Sequence, residues 1–249
     1  MPIHDWGKPP DGAFHHFHQK WMASLCDFLN DGVLPSDLMA LIDSPALGFV
    51  PDIFAVTNSP HSTSGGRRKG TLIAPPKTRY VSLHSKSQQS EASILAARAN
   101  RVAVRTKFGD LIAIVELVSP GNKDGQKSIR KFRDKTVEFL NRGVHVSIID
   151  IHPPTARDPQ GIHKVIWDEI REEPFELPAD KPLTVASYVA DPINDAYVEL
   201  VAVGDPLPPM PIFLDAETYV LAPLEESYMS TWNKCPAAYR AFVEGRPLL

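Results

Sequence analysis

Three side chains have types and settings that suit joint chemistry: Asp52, directly after Pro51; Glu116, inside the apolar run LIAIVELV; and Lys135, in the charged stretch SIRKFRDKTVEF. A carboxylate in a buried strand is costly unless it is paired or binds a cation, which singles out Glu116. If the Asp52 strand lies beside the Glu116 strand, two carboxylates converge at the end of a sheet. A hard divalent cation, Mg²⁺ or Mn²⁺, relieves their repulsion through oxygen ligands with water completing the shell. Lys135, or Lys131 one turn earlier, would orient or deprotonate an attacking water or stabilise charge on a phosphate. That set suits metal-assisted phosphodiester hydrolysis, with Asp52 and Glu116 on the metal.

Plainer roles stand beside these. Asp52 suits a turn after proline. Glu116 suits a cross-strand ion pair with Arg101 or Arg105, or a solvent-facing position. Lys135 belongs to a mostly basic helix face with Lys127, Arg130, Lys131 and Arg133, and charge on a helix surface is the default. His15 and His18 share a helix face at a spacing that suits zinc, but no H-E-x-x-H motif completes a site, so packing or surface roles lead there. The basic run Arg67-Arg68-Lys69, with Lys77 and Arg79, offers a phosphate contact or a solvated loop.

The elements that must position these groups follow from periodicity. Phe14, Phe17, Trp21, Leu25 and Phe28 recur at three- and four-residue spacing, predicting an amphipathic helix over 13–29 with Asp11 as N-cap and Gly32 past its end. Residues 38–42 and 48–56 read as strands. Residues 58–89 read as a long polar loop or arm. Segments 102–107 and 111–118 form a hairpin around Phe108-Gly109-Asp110, a break follows at 119–122, and a helix runs over 125–142 to Gly143. A strand at 144–151 then closes a strand–helix–strand unit, hence a parallel pair in a mixed sheet. Farther on, the pattern gives a helix to residue 170, strands at 184–189, 197–203 and 218–221, a proline-rich crossing at 206–211 and a terminal helix over 227–243.

Composition bounds the answer. The 249 residues are 43% hydrophobic and 22% charged with net charge −4, so no overall basic field favours nucleic acid and such a contact needs a local patch. Two cysteines far apart point to a reducing compartment and against a Cys-based zinc site. No apolar run of membrane-spanning length and no charged-then-apolar leader occur, so the expectation is a cytoplasmic protein that spans no membrane.

The order helix, strand, Pro-Asp strand, Glu-bearing strand, helix, strand is similar to the PD-(D/E)xK nuclease superfamily. The segment IVELVSPGNKDGQKSIRKFRDKTVEFLNRGVHVSIID resembles its Uma-type restriction-endonuclease branch, which has a Glu before a Ser-Pro turn, a helix with a lysine and an aromatic residue, and a strand ending in Asp. That resemblance covers roughly 14–150. It implies that Asp52 and Glu116 are the motif acids and that Lys135, four before Phe139, is a helix lysine. The superfamily's lysine normally sits two residues after the glutamate, where this chain has Val118; either the lysine has moved to the helix or the chemistry has been lost. Over nearly the full length, the MPIHDW opening, ELVSPGNK, PPTARDPQGIHKVIWDE and VAVGDPLPPMPIFL resemble a bacterial family with no assigned activity.

The expected fold is therefore α/β: a restriction-endonuclease-like mixed sheet flanked by helices, as one domain. Its core spans about 14–151, with a loop or arm at about 57–90 and an irregular C-terminal extension over 152–249. Two functions fit: a Mg²⁺- or Mn²⁺-dependent nuclease acting on DNA or another nucleic acid, or a catalytically inactive fold of that kind serving as a binding module.

Overall fold

The structure is a computed structural model that describes residues 3–9, 11–43, 101–191 and 195–247. These belong to one compact unit, Met1–Gly48 with Gln89–Leu249; a second unit, Phe49–Gln88, lies wholly outside the described residues.

Helix α1 (Asp11–Phe28) carries Phe14, Phe17, Trp21 and Leu25 on one face, and all four are buried. It starts at Asp11, so that residue is the first helical position. The helix ends in a wide turn, Leu29–Val33, where Gly32 adopts φ 86°, a left-handed conformation that a Cβ disfavours. Three of the described strands pair antiparallel in the order β1 (Leu38–Asp43), β2 (Arg101–Thr106) and β3 (Leu111–Leu117). A short helix, α2 (Pro120–Lys123), occupies the expected break, and α3 (Gln126–Asn141) follows. Its apolar positions Ile129, Phe132 and Leu140 are buried and Lys127, Arg130, Lys131, Asp134 and Glu138 line its outer side, until Gly143 at φ 76° turns the chain. Strand β4 (His145–Asp150) then pairs parallel to β3, as the strand–helix–strand pattern requires.

The C-terminal third departs from an irregular extension. After α4 (Gly161–Ile170), strands β5 (Leu183–Tyr188) and β6 (Ala196–Val201) continue the same sheet in the order β1-β2-β3-β4-β5-β6. The proline-rich crossing contains β7 (Met210–Phe213), paired with β8 (Tyr219–Ala222) in a small second sheet. The terminal helix is two, α5 (Leu224–Asn233) and α6 (Ala237–Val243), because Pro236 lacks the N–H needed to continue the first.

The result is a mixed α/β domain whose mostly antiparallel sheet is covered by helices on both faces. Alternation along β3 sorts its side chains: Ala113, Val115 and Leu117 join the layer under α1 and α5, whereas Ile114 turns toward α3. In the α1–α5 layer, the Tyr228 hydroxyl accepts from the His4 backbone N–H (3.2 Å) and Trp6 Nε1 (3.1 Å) and bonds His4 Nδ1 (2.7 Å), so the first residues are tied to α5.

Three imidazoles are held neutral by this packing. Burial pushes His4 and His163 down to about 4 and His152 to about 3; Lys123 further lowers His152, and Lys164 His163. His163 Nδ1 bonds the hydroxyl of fully buried Tyr188 at 2.8 Å.

Two outcomes follow. Tyr228→Phe strands three buried polar groups and should cost about 2–4 kcal/mol, read as a lower urea midpoint with the slope unchanged. Because the three histidines titrate below the unfolded value near 6.5, the unfolded chain binds more protons between about pH 6.5 and 4. Stability should therefore be full above pH 6.5 and fall by up to about 4 kcal/mol per pH unit below it. Asp150, raised by burial, opposes part of that slope. Urea unfolding across pH 4–7 measures it, and a flat profile would contradict neutral burial of these rings.

Candidate active site

Glu116 stands on β3, the strand bonded to β2 on one side and to β4 on the other, where Glu116 pairs in register with Ile148. It is 8% exposed and points to the α3 side of the sheet. There Lys135 Nζ donates to Glu116 Oε1, and the same ammonium lies 5.0 Å over the Phe132 ring. Oε2 is buried and accepts no hydrogen bond from the described residues. Sheet and helix thus bring together two of the residues that the sequence singled out. Lys131 stands one turn earlier on an exposed stripe, where Lys127, Arg130, Lys131, Asp134, Lys135 and Glu138 line an open groove of about 650 Å³. Asp52 lies outside the described residues, as does the basic run Arg67-Arg68-Lys69; because β2 and β4 take both edges of β3, the expected pairing of an Asp52 strand with the Glu116 strand does not form.

The cross-strand arginine pairing does not form. Arg101 gives Nε (2.7 Å) and an Nη (2.6 Å) to Asp43 Oδ2 and lies 5.1 Å over the Phe139 ring, while Arg105 donates to the Gly109 carbonyl at 2.8 Å. Val118 has no exposed surface and packs in the apolar layer with Ile129 and Phe132. A lysine there would have to bury its ammonium among hydrocarbon.

A second polar centre was not among the candidates read from the sequence. Ser119 opens α2: its backbone N–H and its hydroxyl both donate to Asn122 Oδ1 at 2.8 Å, and Pro120 takes the first helical position, where its missing N–H costs nothing. This tight turn drives Lys123 inward to 3% exposure. Its Nζ donates to the His152 carbonyl at 3.0 Å and forms ion pairs with Asp150 Oδ2 at 2.7 Å and Asp158 Oδ2 at 3.0 Å, the last of these oxygens accepting no hydrogen bond. Asp158 Oδ1 accepts in turn from the Thr155 N–H (2.9 Å) and hydroxyl (2.5 Å). Burial raises the Asp150 carboxyl above its ordinary value, with Lys123 opposing. The signal was present in ELVSPGNK and in the aspartate that ends β4, but neither shows that a lysine seven residues past the glutamate turns inward.

A hard divalent cation draws on several oxygens at once. Among the described residues no group of three or more His, Cys, Asp or Glu could hold a metal ion. Asp150 and Asp158 are committed to Lys123, and His18 is buried beside Phe14 and bears no such group. What fits is one ligand position, Glu116 Oε2, which is buried and without a hydrogen bond. Cys26 and Cys235 are buried free thiols, and no helix among the described residues is long and apolar enough to cross a membrane.

No protein-family profile, curated protein or solved structure matches this chain.

Removing the ammonium of Lys123 leaves two carboxylates in a dry site. Lys123→Met should destabilise by about 3–5 kcal/mol at pH 7, since breaking a buried pair strands its partners. Part of that loss should return at pH 5, since burial raises the Asp150 carboxyl and the opposing ammonium is gone. Chemical denaturation at the two pH values checks both; a loss under about 1 kcal/mol would show the triad is not structural.

Proposed function

We propose that the chain is a phosphodiester hydrolase on a restriction-endonuclease-like core, a member or descendant of the PD-(D/E)xK group, using Mg²⁺ or Mn²⁺ on DNA or another nucleic acid. The observation that carries this reading is the Glu116–Lys135 contact on β3 and α3. A strand carboxylate and a helix lysine that are nineteen residues apart meet on one face of the sheet, with one carboxylate oxygen left open. The antiparallel pairing of β1, β2 and β3, with a helix and the parallel strand β4 after β3, supports the same reading.

In this reading Glu116 Oε2 supplies a ligand, and Asp52 is the second acid. The cation, when bound, polarises a phosphoryl oxygen and lowers the pKa of its water. Lys135 keeps its charge close to that carboxylate while 29% of its side chain remains exposed, so it can turn toward a phosphate without leaving the site. The groove along α3 offers four cations on one side of it.

One observation favours the second reading, an inactive module of the same descent. Val118 is sealed in the core, and Lys135 already neutralises the carboxylate that a metal would need.

Calorimetric Mn²⁺ titration of the parent and Glu116→Ala separates the two. Hydrolase function predicts binding in the parent that weakens at least about a hundredfold in the variant, together with plasmid nicking that Lys135→Ala reduces at least about a hundredfold. Absence of binding in both proteins would leave the module reading.

A further inference from the structure

Asp43, Arg101 and Glu116 form one row across three neighbouring strands. Asp43 pairs in register with Arg101 on β2. Val102 pairs with Val115 on β3, so Glu116 is the next residue along, beside Arg101. Both side chains work on the same face, because Arg101 lies over Phe139 and Glu116 takes Lys135, and these two residues are one turn apart on α3. Read across the row into the helix, the charges alternate: Asp43 negative, Arg101 positive, Glu116 negative, Lys135 positive.

A guanidinium beside a carboxylate on the adjacent strand is an ordinary ion-pair arrangement, and Arg has the reach and the donors to displace a lysine. Arg101 nevertheless makes its ion pair with Asp43 and none with Glu116 among the described residues. Two contacts hold it away. Asp43 Oδ2 takes both Nε and Nη2, at 2.7 and 2.6 Å, and the Phe139 ring faces the guanidinium. The pair is well covered, with side-chain exposures of 9% for Arg101 and 14% for Asp43, so water screens it little.

We propose that Asp43 is a positioning residue for Glu116: by holding Arg101, it leaves Glu116 with a single cationic partner, Lys135, and leaves the buried Oε2 without a hydrogen bond, available to a ligand. The role rests on the reading of Glu116 as the functional carboxylate. If Asp43 loses its charge, Arg101 turns to Glu116, fills Oε2 and displaces Lys135.

The test reads Lys135 directly and needs no metal. The folded protein is acylated with a limiting amount of an N-hydroxysuccinimide ester, and labelling of Lys135 relative to exposed Lys127 is followed by mass spectrometry. In Asp43→Asn that ratio should rise about threefold, the worth of a partly exposed ion pair. In the double variant Asp43→Asn, Arg101→Gln it should return to the parent value, since the displacing cation is gone. An unchanged ratio in folded Asp43→Asn overturns the proposal. A ratio that stays high in the double variant also overturns it, because loosening of the strand, and not Arg101, would then be the cause. Should Asp43→Asn fail to fold, Arg101→Gln alone decides: an unchanged ratio supports the role, and a fall shows that Arg101 already acts on Glu116. Mn²⁺ titration of the same proteins should show affinity at least about tenfold weaker in Asp43→Asn and restored in the double variant. If the parent binds no Mn²⁺, the hydrolase reading fails, while the labelling ratio still decides the role of Asp43.

Discussion

The ammonium of Lys123, buried between Asp150 and Asp158, ties together the turn leaving β3, the end of β4 and the loop entering α4. Two carboxylates in a dry site repel, and a cation between them offsets that repulsion. The geometry of the neighbouring site hangs on this tie. The path from Glu116 to α3 runs through Ser119 and α2, and Lys123 anchors that path to the strand beside it. If the anchor slips, the start of α3 is no longer fixed relative to β3, and Lys135 loses its register over Glu116.

The face of the sheet under α3 therefore carries an unusual load of charge for a layer that is otherwise Val, Ile and Phe. Its carboxylates are matched locally: Asp43 with Arg101, Glu116 with Lys135, Asp150 and Asp158 with Lys123. Matched pairs in a low-dielectric layer add little net stability over hydrocarbon of the same volume, but mismatching them is expensive. Such an arrangement selects one register of helix against sheet. It also holds one carboxylate oxygen, Glu116 Oε2, without a hydrogen bond, the kind of unsatisfied group that folded proteins retain at few places.

Most of the fold was legible in the sequence, and the reasons are physical. The spacing of Phe14, Phe17, Trp21 and Leu25 gave α1; the buried-type run at 144–151 gave β4; Gly143 marked the end of α3, because only a left-handed turn connects the two so closely. The C-terminal strands were visible as strands, but their membership of the main sheet was not, since strand pairing over long separations leaves no local periodicity. At 206–211 the prolines suggested a crossing, yet Pro211 sits inside β7, in a two-stranded sheet where a missing N–H is tolerated. At the site, Glu116 and Lys135 were found by type and setting. Asp43 and Lys123 were not, because a terminal strand aspartate and a lysine in a Ser-Pro-Gly-Asn turn look solvated until the packing is known.

The choice of partner for Glu116 carries the argument furthest. An arginine stands beside it on the next strand and a lysine reaches it from the helix, and the lysine holds it. A guanidinium can bind both oxygens of a carboxylate as a fork, whereas an ammonium is a point charge that satisfies one and leaves the other. A purely structural pair gains by taking the fork. Here two guanidinium donors go to one oxygen of Asp43, Oδ2, toward the edge of the row, and the point charge goes to Glu116, nearer its centre. That distribution leaves one carboxylate oxygen of Glu116 without a hydrogen bond beside a partly exposed lysine, and it is this oxygen that the proposed reading gives to a ligand.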